Sequence, residues 1–155
     1  MQLTKFEQAE SNLIAAICGR KYSNLPLNEK NGLVLALVSK AQILTSNAQN
    51  DIEHTKLTVS EVVAELVNYP WITCEELQMV FIEGVKGDYG QYFGINFKTI
   101  FQWIDGYKSR EDRKRAIHKL AQSKEDQPEL TKSELDQRMM EAIKGVFRQF
   151  KENPT

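Results

Sequence analysis

Apolar residues recur at intervals of three and four along most of the chain, the period that gathers them on one face of an α-helix. Phe6, Ala9, Leu13, Ile14 and Ile17 define a first helix from about Lys5, and Gly19 is suited to end it. After Pro26 and a turn around Asn28 and Asn31, a second helix reaches Ser46. Its run Leu33 to Val38 is apolar on every side, which predicts a central, buried helix. The polar stretch Asn47 to Lys56 reads as a loop. A short helix from Val59 to Asn68 stops before Pro70, and another follows Thr73 as far as Gly87, with Leu77, Val80, Phe81 and Val85 inward. A long helix begins at Phe97 with Asn96 as its cap and continues to Ala121. Gln122 to Glu129, with Pro128, reads as a linker before a last helix, Lys132 to Phe150. No strand pattern competes. The reading is all-α: a single-domain bundle of about six helices. Residues 1–121 form its core, 122–131 a linker, and 132–150 an amphipathic helix packed on the same domain.

Four threonines strengthen the helix starts. Thr4/Glu7, Thr58/Glu61, Thr73/Glu76 and Thr131/Glu134 each have the spacing of a capping box, in which the hydroxyl and the carboxylate satisfy each other's backbone amides.

Composition narrows the class. A chain of 155 residues fits one domain and can bury a real core. Its longest aliphatic run, six residues, is far short of a bilayer span, so no membrane partner is expected. Glu7 and Glu10 precede the first apolar stretch where a secretory signal would carry basic residues. Two cysteines, Cys18 and Cys74, read as reduced thiols, and the location expected is cytoplasmic. A net charge of −1 excludes bulk attraction to polyanions, but Lys98 to Lys119 holds seven Lys or Arg against three acids. That excess either attracts phosphates or decorates a solvated helix face.

The segment Lys86 to Ile104 carries the most specific pattern. Gly90 stands where one helix packs closely on another, Gly94 where a tight turn needs a left-handed residue, and Ile95 follows as a branched apolar plug. Ile100 and Trp103, three apart, fall where they seal the pair, with Phe93 before the turn. Over about twenty residues this segment is similar to the core of bacterial and phage helix-turn-helix regulators. It also resembles, more loosely, a glycine–tyrosine-rich segment in helical proteins of phages and mobile elements, some of them replication- or DNA-associated. The resemblance implies a helix-turn-helix-like corner and a non-enzymatic, DNA-associated or regulatory protein. In that role Lys98 and Gln102 would reach base edges and Asn96 would cap the helix at the groove. Lys108, Arg110, Arg113, Lys114 and Arg115 would contact phosphates of duplex DNA.

The same residues also read as plain architecture. Phe97, Ile100, Phe101, Trp103, Ile104 and Tyr107 cover most of the would-be reading helix, an arc typical of a core element. Its polar stripe is only Lys98, Gln102 and Asp105, and Asp105 would repel phosphate. Other chemistry is sparse. Cys74 lies in a first helical turn, where the dipole lowers a thiol pKa, but no histidine is near it in sequence. His54 and His118 share no ligand-like spacing with the cysteines, and no phosphate loop is present, so neither a metal, a cofactor nor an enzyme is expected. The alternative function is a helical protein-interaction module that binds a partner, or a second copy, through the last helix, where Met139 and Met140 suit adaptable contact.

Overall fold

The computed structural model describes residues 4–45, 51–125, 136, 137 and 139–144. It is an all-α bundle: α1 (Lys5–Ile17), α2 (Leu27–Leu44), α3 (Ile52–Glu65), α4 (Cys74–Lys86), α5 (Phe97–Lys108) and α6 (Glu111–Glu125). The described residues hold no strand, only one isolated bridge between Lys21 and Thr73. The chain divides into two compact units, 1–120 and 121–155. In the second, residues 136, 137 and 139–144 are helical, with Met139, Met140 and Ile143 exposed.

Local chemistry sets most helix starts. Thr4 and Thr73 form complete capping boxes with Glu7 and Glu76. The Thr131/Glu134 pair lies outside the described residues. Thr58 is a correction: it sits buried in the middle of α3, because Asp51, seven residues earlier, caps the helix by accepting from the Glu53 amide. The stretch from Ile52 that reads as loop is therefore helical. Its inward Thr55 is satisfied by reciprocal bonds to the buried Gln42 amide of α2, at 3.1 and 3.2 Å.

The long helix after Phe97 is broken at Ser109–Arg110. The Ser109 hydroxyl donates back to the Asp105 and Gly106 carbonyls, both at 3.0 Å, and so competes with the helix ladder. The expected linker is helical as far as Glu125, and its remainder lies outside the described residues. So do the ends of the last helix.

The core sits between α4 and α5. Trp103 is wholly buried, edge-on to Phe81 at 5.8 Å and to Tyr92 at 5.1 Å. It lies against Gly84 so closely that a methyl group there would come within 2.2 Å of the indole Cδ2. A second correction concerns α2. Val34, Val38, Ala41 and Gln42 are buried, but Leu35, Ile43 and Leu44 are exposed. Among the described residues α3 and α4 are its main neighbours, and those three side chains are left exposed.

Candidate interaction surface

The corner over 86–104 is a helix–loop–helix rather than a helix–tight turn–helix. Residues 87–96 are non-helical, a ten-residue connection where the motif takes about three to four. Gly87 and Gly90, at φ 87° and 100°, cannot continue a right-handed helix; Gly87 instead closes α4 as a left-handed cap. The packing half of the reading holds. Gly94 is left-handed at φ 82°, and Ile95, Ile100 and Trp103 are buried.

The loop is pinned at each turn. Tyr89 donates to Glu83, and its ring covers Gly106. The Tyr92 hydroxyl donates to the Val85 carbonyl at 2.9 Å, and Thr99 donates to the Gly94 carbonyl at 3.0 Å. One large side chain is left outward: Phe93 is 93% exposed.

The residues expected to read DNA separate into two sets. Four have structural work. Asn96 caps α5 by accepting from the Thr99 amide. Gln102 donates to the Tyr89 carbonyl and, at the edge of bonding distance, to that of Gln91. Arg110 bridges Glu83 and Asp112 across the end of α4. Arg113 is buried, with its guanidinium 3.0 Å from Glu76 and stacked 4.2 Å above the centre of the Trp71 ring. The others are outward: Lys114 pairs with Glu111, while Lys98, Lys108 and Arg115 are exposed. Folding therefore neutralises part of the local positive excess and leaves Lys98, Lys108 and Arg115 on the surface. The two most central arginines face carboxylates, and Lys119 is joined to Glu10.

Glu76 is the centre of that inner network. It is fully buried, accepts from the Thr73 amide at 3.0 Å and from the Tyr107 hydroxyl at 3.2 Å, and pairs with Arg113. Burial is the main cause that pushes the Tyr107 hydroxyl above its usual range, with the Glu76 charge adding to it. The sequence identifies Glu76 as a cap; its second role, anchoring α6 through a residue 37 positions on, has no local signal. On the surface, Asp112 is held below its ordinary value by its bonds to Arg110. Its stabilisation is therefore complete above the ordinary carboxylate range near pH 4 and fades as pH falls through the lower folded value. A shallow loss of stability in that acid range is expected in denaturant titrations of the wild type. It should be smaller, though not absent, in Asp112→Asn, since Glu7 and Glu111 are also held below their ordinary values.

Burial outweighs the helix dipole at Cys74, whose thiol is pushed up by desolvation first and by Glu75 second. Both cysteines are free, and Cys18 is exposed. Iodoacetamide at neutral pH should label Cys18 several-fold faster than Cys74, read by peptide mass spectrometry. Equal rates would contradict the placement of Cys74. Among the described residues no group of three or more His, Cys, Asp or Glu could hold a metal, and no helix is long and apolar enough to cross a membrane.

An apolar groove between α2 and α4 gives no warning in the sequence. It encloses about 320 Å³ and is lined by Leu33, Leu37 and Leu44 from α2 and Phe81, Ile82 and Val85 from α4, with Lys40 and Gln78 among them. Leu44 is 59% and Ile82 47% exposed. Val85 also belongs to a shallow depression formed by Lys86, Gly87, Gly90, Gln91, Tyr92 and Phe93. Groove and pinned loop thus meet at one residue. No protein-family profile, curated protein or solved structure matches this chain.

Proposed function

We propose that the protein is a non-catalytic helical interaction module that docks a partner protein in the α2–α4 groove. The observation that supports this reading is the groove itself: branched apolar side chains from two helices stand part-exposed side by side, where isolated surface leucines would be ordinary. A neighbouring aromatic on a pinned loop adds a preorganised anchor of the kind that dominates interface energetics. DNA contact through α5 is less well supported, because Asn96, Gln102, Arg110 and Arg113 already have partners within the fold.

A photo-crosslinking amino acid at Leu37 tests the reading in cells that express the chain. Protein adducts are expected that vanish when Ile82→Asp is added and persist with Lys98→Ala and Lys108→Ala. In parallel, duplex DNA at low salt should give no sub-micromolar binding by fluorescence anisotropy. Adducts indifferent to Ile82→Asp, or tight salt-sensitive duplex binding, would overturn it.

A further inference from the structure

The groove and the Phe93 loop together specify the chemistry of the occupant, an inference that rests on the proposed docking role. Among the described residues, the lining of the two depressions taken together contains two cationic side chains, Lys40 and Lys86, and no carboxylate. Both lysines are exposed, and neither forms an ion pair among the described residues. The nearest acid on α4, Glu83, is turned away to Arg110 and Tyr89. The surface is therefore apolar along its floor with Lys40 and Lys86 at its rim; Asp88, exposed in the same loop, lies outside the lining. On α2 the floor runs from Leu33 to Leu44, eleven steps of the helix or about 16 Å at the helical rise. Three turns of helix match that length.

We infer that the groove binds an amphipathic helix of a partner protein that is acidic on its flanks. Its apolar stripe lies between α2 and α4, its carboxylates face Lys40 and Lys86, and its end rests against Phe93. Such a ligand is read as anchors one and two turns apart, with charge setting orientation rather than most of the affinity. An unpinned loop would lose entropy on holding Phe93 in place; here Tyr89, Tyr92 and Thr99 already fix the backbone around it.

Two fluorescein-labelled peptides provide the probes, sharing one leucine stripe at helical spacing and differing only in Glu or Lys at the flanking positions. Against the full chain at low salt, the Glu peptide should bind about tenfold more tightly, the effect of two rim ion pairs. Lys40→Glu with Lys86→Glu, both at exposed positions, should abolish or reverse that preference. Phe93→Ala should weaken the Glu peptide several-fold. Equal binding of the two peptides overturns the acidic-partner inference but leaves the docking groove standing. Binding of neither removes both. Concentration-dependent dimerisation abolished by Ile82→Asp, read by light scattering, would make a second copy the occupant and overturn the inference.

Discussion

Arg113→Ala is expected to destabilise the protein by about 3–5 kcal/mol, because it leaves the Glu76 carboxylate buried without its counter-charge. For a domain of this size that corresponds to a fall in melting temperature of roughly 10 °C or more. The loss exceeds that of an ordinary surface arginine because the Glu76 side chain has no exposed surface and the Arg113 side chain only 8%. Packing over Trp71 and Tyr107 is lost as well. The physical cause is separable from simple truncation. Glu76→Gln in the Arg113→Ala background keeps an acceptor for the Thr73 amide and a group for Tyr107 but no longer buries a charge. It should recover part of the loss, whereas Glu76→Gln alone should destabilise. Thermal denaturation of the four proteins measures this, and a double mutant less stable than Arg113→Ala would contradict the assignment.

Trp103→Ala is expected to cost a similar amount, about 3–5 kcal/mol, by emptying the contact among α4, α5 and the loop. Gly84 sharpens the test. Within a helix Gly→Ala ordinarily gains up to about 0.5–1 kcal/mol, and Gly84 lies in the last turn of α4. Here the new methyl would meet the indole at 2.2 Å, so Gly84→Ala should destabilise the wild type by about 1–3 kcal/mol. In the Trp103→Ala background the obstruction is gone and the same substitution should become neutral or stabilising. A sign that stays the same in both backgrounds would show that the two residues do not abut as described.

Much of the bundle was legible because its determinants are local. Thr4 and Thr73 start helices through amides three residues on, Asn96 does the same for α5, and Gly87 and Gly94 adopt the left-handed backbone that glycine permits. Thr58 misled because a capping spacing is also a spacing within a helix, and a better cap at Asp51 lay upstream. The break at Ser109 has no proline to announce it, and Gly106, three residues earlier, is itself helical; the Ser109 hydroxyl turns back on the last turn there. The apolar run on α2 was readable as hydrophobic but not as half-open, since which neighbours cover a helix is decided by residues far away in the chain.

Candidate binding residues were less legible for the same reason. Lys98 and Arg113 look equivalent in a count of charges, yet one is exposed and the other lies between Trp71, Tyr107 and Glu76. Only folding shows which carboxylate each cation meets. Phe93 invites the opposite error: an aromatic before a turn glycine reads as core, whereas Tyr92 and Ile95 take the inward positions and leave it in water.

The docking groove is tested most directly by methyl and amide NMR spectra of the full chain, recorded with the Glu-flanked peptide and separately with duplex DNA. The account predicts peptide-dependent shifts at Ile82, Val85, Leu37 and Phe93, with Lys98 and Gln102 unmoved and no response to the duplex at low salt. Shifts at Lys98, Gln102 and Lys108 on adding DNA, with Ile82 and Leu37 silent to the peptide, would contradict it.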